Sequence, residues 1–198
     1  MFWNKKKALL PVGAKASDFV NAGTAVKFNS VDFRDGQQSL FATRFTTEEI
    51  VPILDQFDLL GLNYMEIWGG ATFDVCVRYL KEDPWERLRI FKQHLKKTPL
   101  CMVLRAQNLV GYKAYPDDVV ERFVAKAAEN GIDYFCTFDA LGDLRNCETA
   151  FKAIKKAGKK IVGSLQYNIS PFHTIENFVQ NAKEQEKMGI DMLHIEDM

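Results

Sequence analysis

One feature limits what this chain can fold into more than any other. A short apolar, strand-like run is followed by a longer amphipathic run of helical period, and the pair recurs until six strand-like runs have passed. The first strand is expected to end near Asp35, with apolar and polar residues alternating on either side of a slip at Asn29-Ser30 that reads as a bulge. Thr46-Thr47-Glu48-Glu49 then supplies an N-cap and an acidic first turn for a helix through Ile50, Ile53, Leu54, Phe57 and Leu60, stopped by Gly61. The second strand spans 64–68 and ends at Gly69-Gly70, with helical signals over 73–80 and 84–97. The third strand spans 100–104. Asp117-Asp118 opens the next helix and Gly131 closes it. The fourth strand spans 134–138, followed by a helix near 147–157, and the fifth spans 161–167. A helix over 175–188 ends at Gly189, and the sixth strand, 192–195, ends at Glu196-Asp197.

Strands that alternate with helical crossovers make a mostly parallel sheet. A doubly wound sheet and a (β/α)8 barrel both satisfy the pattern. No GxGxxG or GxxxxGK[ST] follows a strand, so the nucleotide-binding fingerprints are missing. Polar residues recur at strand ends: Arg34, Asp35, Glu66, Arg105, Asp139 and Glu196. In a barrel these would converge on the C-terminal face, where that fold keeps its active site.

The chain has 198 residues, room for one domain, and the first 25 (Lys-rich, then Gly and Ala) read as an extension ahead of a domain over 26–198. Lys+Arg and Asp+Glu are both 26, which argues against nucleic acid as the main partner. Cys76, Cys101, Cys136 and Cys147 show no CxxC spacing, and His94, His173 and His194 complete no zinc-finger pattern. Scattered thiols of this kind fit buried positions in a reducing cytoplasm. The N-terminal apolar run is short and broken by Pro11, unlike a signal peptide, and no stretch is long enough to span a membrane.

Seven stretches carry a resemblance when taken in order: RDGQQSLFATR (34–44), WGGATFD (68–74), EDPWERL (82–88), LRAQNLVGY (104–112), TFDALGD (137–143), SPFHT (170–174) and IEDM (195–198). Over about 26–198 the chain resembles the carboxyltransferase domain of biotin-dependent enzymes acting on 2-oxo acids: pyruvate carboxylase, the oxaloacetate decarboxylase alpha subunit and the pyruvate-handling transcarboxylase subunit. RDGxQ alone also fits the metal-dependent aldol/Claisen barrels, whereas WGGATFD with EDPWERL is more specific. The resemblance implies a (β/α)8 barrel, here with six of its strands. It implies carboxyl transfer between carboxybiotin and pyruvate or oxaloacetate, with a divalent metal (zinc, manganese or cobalt) acting as a Lewis acid. By motif, Asp35 matches a metal ligand, and Arg34 and Gln38 match residues lining the pyruvate site. Arg105 matches the arginine that holds the substrate carboxylate, a role suited to its planar fork, and Asp74 matches a polar catalytic-site residue. The plainer readings are a helix-start carboxylate for Asp74 and a strand-end ion pair for Arg105. His173, Trp68 and Trp85 read as packing residues, and Lys96-Lys97 and Lys159-Lys160 as solvated helix ends.

The departures fall where chemistry is expected. Family members carry a carbamylated lysine metal ligand at the position of Glu196, whose carboxylate sits on a shorter stem. They commonly carry arginine at Cys136 and histidine at Gln37. The family's His-x-His metal ligands would lie beyond Met198. Asp35 and Glu196 are therefore expected to make a weakened metal site. The expected form is a fragment or one part of a split enzyme. Biotin would arrive on a carboxyl carrier domain or subunit, and a further chain would complete the barrel. The alternatives are a catalytically inactive truncated barrel serving as an interaction subunit, and a metal-dependent aldol/Claisen lyase or synthase.

Overall fold

A computed structural model describes residues 26–197, so the expected extension over 1–25 lies outside the described residues. Six strands form one parallel sheet: β1 (Asn29–Ser30), β2 (Tyr64–Gly69), β3 (Leu100–Leu104), β4 (Ile132–Thr137), β5 (Lys160–Tyr167) and β6 (Met192–Asp197). Their spatial order is their sequence order. A doubly wound sheet reverses direction at a switch point. Sequential order is barrel winding, so the ambiguity left by the alternation resolves in favour of an incomplete (β/α)8 barrel.

The helices are α1 (Gln37–Phe41), α2 (Thr47–Phe57), α3 (Gly70–Val75), α4 (Pro84–His94), α5 (Asp117–Glu129), α6 (Glu148–Lys156) and α7 (Ile175–Met188). Their starts follow local chemistry. The Thr46 side chain accepts from the Glu49 N–H while the Glu49 carboxylate accepts from the Thr46 N–H, a complete capping box. Asp83 caps α4 ahead of Pro84, whose missing N–H costs nothing at a helix start. Thr174 caps α7, and Gly189 ends it at φ 82°, a left-handed turn that an L side chain resists.

The two faces of the sheet have different fates. Met65, Ile67, Leu100, Met102, Leu104, Phe135 and Ile161 pack with Leu54, Leu88, Phe91, Val124 and Ile154 into the main core between strands and helices. Trp68 is fully buried there against Phe73, Trp85 and Phe123, as expected for a packing aromatic. The opposite face carries a smaller cluster of Tyr64, Cys101, Cys136 and Val162, edged by Val103, Tyr134 and Met192. This inner face is the interior of the half-barrel, and all four cysteines are buried.

Several expectations need correction. β1 has two residues, and Asp32–Gly36 is a wide helical turn in which the N–H groups of Arg34, Asp35 and Gly36 all point at the Val31 carbonyl. The alternation upstream of Asp35 therefore marks a strand that ends at Ser30. β6 continues through Glu196 and Asp197 because both pair with β5, opposite Gln166 and Tyr167. Lys159 and Lys160 are not free solvated ends: they bind Asp133 and Asp191, each at the foot of a strand. Among the described residues no helix is long and apolar enough to cross a membrane.

Candidate functional site

The strands deliver their C-terminal ends to one side, and a cleft of about 460 Å3 opens there. Its wall includes Arg34, Asp35, Gln38, Gly69, Gly70, Arg105, Phe138, Gln166, His194 and Glu196. Four sequence candidates from the first and third units, Arg34, Asp35, Gln38 and Arg105, thus share one cleft with Glu196 from the sixth.

Arg34 is the organising residue. Its Nε and Nη2 both reach Glu66 Oε2, at 2.8 and 2.7 Å, and its Nη1 reaches Asp35 Oδ1 at 3.0 Å. Burial works against the guanidinium charge, but Glu66 and then Asp35 outweigh it and raise its pKa above the ordinary value. Glu66 lies mid-strand and buried, so the expectation that it marks a strand end is replaced by a fixed ion pair in the interior. The tight turn after Ser30 is what brings Arg34 back over β2 and leaves the Asp35 carboxylate about half exposed at the rim.

Arg105 follows β3. Its Nη1 donates to the carbonyls of Val110 and Gly111, at 3.3 and 3.1 Å, and its guanidinium lies 4.9 Å from the Tyr112 ring centre. Among the described residues no carboxylate holds it, unlike a strand-end ion pair. The second glycine of Gly69-Gly70 makes room: a Cβ at Gly70 would stand 2.6 Å from Arg105 Cζ. The WGG pairing is thereby explained by close approach to a guanidinium.

Asp74 does not join this group. It pairs with Arg78 one helical turn away, at 2.7 Å, and lines a separate cleft with Phe73, Tyr112 and Tyr115. Asp139 likewise turns inward on its own loop, accepting from the N–H groups of Leu141 and Asp143 and from Asn146. His173 is exposed, bonded to Ser170 and stacked on Phe178.

A divalent ion held by Asp35 and Glu196 finds little support in the donors. Asp35 Oδ1 faces Arg34, whereas Glu196 Oε1 faces His194 Nδ1 at 3.6 Å. Among the described residues, the His, Cys and acidic side chains grouped closely enough to hold a metal are Glu66, Cys136 and His194, and Asp35 is not with them. Among the described residues no further donor joins Asp35 and Glu196, and two carboxylates alone do not make a cage for such an ion, so these residues do not by themselves fit the metal site that the resemblance implies. The Glu66–Cys136–His194 cluster was not singled out from sequence, although its members fall at inward positions of three strands.

No family model matches the chain. Comparison with curated proteins finds a pyruvate carboxylase subunit of Methanocaldococcus jannaschii, 58% identical over 173 residues, covering 87% of this chain and 30% of the relative. The methylmalonyl-CoA carboxyltransferase 5S subunit of Propionibacterium freudenreichii is 50% identical over 165 residues, covering 83% and 33%. Among solved structures, the carboxyl transferase domain of Rhizobium etli pyruvate carboxylase, determined with pyruvate and with pyruvate plus biocytin, superposes with a TM-score of 0.85 at 39% identity. It covers 87% of this chain and about 30% of the other. The chain therefore spans about a third of the length of these relatives.

Proposed function

From a chain homologous over most of its length to the carboxyltransferase domain of the pyruvate carboxylases, we propose that the cleft at the strand ends binds a small 2-oxo acid for biotin-dependent carboxyl transfer. In that reaction the carboxyl group leaves a biotin nitrogen and bonds to the methyl carbon of pyruvate, while the methyl proton passes to the biotin nitrogen. Biotin would come on a carrier domain or partner subunit, and the setting would be cytoplasmic. Nothing in the fold favours the aldol/Claisen or interaction-subunit readings over this one.

The observation that carries the proposal is Arg105. It is a guanidinium at a barrel strand end, unpaired with any carboxylate among the described residues and facing a cleft. Both of its hydrogen bonds fall on Nη1, and a planar fork suits a substrate carboxylate. Arg34, locked by Glu66 and Asp35, supplies a positive charge that cannot swing away, and preorganised charge is what stabilises a developing enolate. Gln38 adds an amide to the same wall. Asp74 is given no role at this cleft.

Calorimetric titration with pyruvate and oxaloacetate tests the reading. Arg105→Lys keeps the charge and loses the fork, so affinity should fall about tenfold or more, the worth of one charge-assisted hydrogen bond. Equal binding by the parent and the Lys variant would remove Arg105 as the carboxylate anchor.

A further inference from the structure

Glu66 stands on β2, Cys136 on β4 and His194 on β6. These strands are not neighbours, yet one donor atom of each residue lies within 4.8 Å of the other two. The stagger of a curled parallel sheet explains the meeting: inward side chains of alternate strands fall into a common layer. Cys136 Sγ is 3.6 Å from His194 Nδ1. Glu196, two residues farther along the same face of β6, brings Oε1 to 3.6 Å from that nitrogen and 3.9 Å from the sulfur. Around a tetrahedral zinc, with bonds of about 2.3 Å to sulfur and about 2.0 Å to nitrogen or oxygen, neighbouring donors stand roughly 3.3–3.6 Å apart. The Cys136, His194 and Glu196 atoms already stand near that spacing, and Glu66, within 4.8 Å of Cys136 and His194, would close in as the fourth donor on binding.

The donors are also braced. Arg34 holds Glu66 through Oε2, and Ser164 Oγ, itself bonded by Gln166 Nε2, donates to Glu196. Such outer contacts are what orient the ligands of a metal centre. The local charge balance favours a cation. Two carboxylates, Glu66 and Glu196, stand around the Cys136 thiol, and Arg34 pairs with one of them. A bound divalent ion would take the place of that thiol proton and offset both carboxylates.

We propose that Glu66, Cys136, His194 and Glu196 form a site for a borderline-soft divalent cation of the zinc and cobalt class. The thiol and imidazole select against magnesium and calcium, which take oxygen ligands. The site rests on strand register and not on the carboxyl-transfer reading, and its test reads metal instead of turnover.

The experiment is a titration of the chelator-treated full chain with Co2+, followed by absorbance. One equivalent should bind with a strong near-ultraviolet thiolate-to-cobalt band and the visible bands of a four-coordinate ion. Cys136→Ser and His194→Ala should each abolish the thiolate band, while Cys147→Ser, at a buried cysteine outside the cluster, should keep it. Absence of the band in the parent chain overturns the proposal, as does its persistence in either of the first two variants or its loss in Cys101→Ser alone. If Cys136→Ser fails to fold by circular dichroism, His194→Ala, at a half-exposed position, decides the matter.

Discussion

Single residues here join segments distant in sequence. Asp58, just past α2, accepts from the N–H groups of Lys97 and Thr98 at 2.7 to 3.1 Å and so pins the end of α2 to the approach to β3. Burial pushes its pKa up, but the backbone N–H groups outweigh that and leave it below the ordinary aspartate value of 3.8. A depressed folded-state pKa means stability that is present above the unfolded value and lost as pH falls through the folded one. Asp58→Asn should therefore lower the melting temperature at neutral pH, by the equivalent of about 1–2 kcal/mol. The gap to the parent should close in acid below 3.8, and a gap independent of pH would contradict the assignment. Gly70→Ala is a second case. Its methyl would press on the Arg105 guanidinium, so 2-oxo acid binding should weaken with little loss of helicity by circular dichroism. The placement of Arg34, Gln38 and Arg105 at one cleft was legible from their motifs. The separation of Asp74 was not, because its Arg78 partner one turn away redirects it.

At the scale of elements, polar anchors set how helices meet. Arg87 of α4 is 1% exposed and binds Glu82, Thr47 and the Phe45 carbonyl, while Glu82 also accepts from the N–H and hydroxyl of Thr47. This knot clamps the start of α2 to the start of α4 and accounts for the EDPWERL stretch as structure. Glu82→Ala strands a buried guanidinium and should cost about 3 kcal/mol in denaturant unfolding. Adding Arg87→Met should restore much of it, and a double variant as unstable as the sum of both singles would exclude a coupled pair. The starts of α2, α4 and α7 were legible because caps are local chemistry: Thr46, Asp83 and Thr174 each bond within three residues of themselves, whereas α1 and α3, which have no side-chain cap, were missed or misplaced. Strand limits were less so. The β1 alternation persists past Ser30, but the Val31 carbonyl captures three successive N–H groups and bends the chain away. β6 runs on through two acids only because β5 offers partners there. Pairing of that kind is tertiary and leaves no local mark.

For the whole molecule, the parallel winding was legible from six repeats of one pattern, while the choice of barrel over doubly wound sheet came from strand order. The half-barrel has two sheet edges among the described residues. At one, β6 shows Leu193 and Ile195 at 42% and 64% exposure, and an open edge with apolar side chains invites pairing with another chain. The chain alone should self-associate at micromolar concentration in sedimentation velocity, and Ile195→Lys should shift it toward monomer. A parent chain that stays monomeric would show the edge to be protected. The stagger that joins β2, β4 and β6 has a consequence of another kind. Cys136 and His194 are 58 positions apart in sequence and yet touch, and Ser164 of the intervening strand donates to Glu196 at the same place. The interior is thus one woven surface in which even and odd strands answer each other: Arg34, before β2, holds Glu66, and Ser164 of β5 holds Glu196. A substitution on one strand is therefore felt by side chains of others, and since His194 and Glu196 also line the cleft, a new chemistry installed there would reshape the cleft with it.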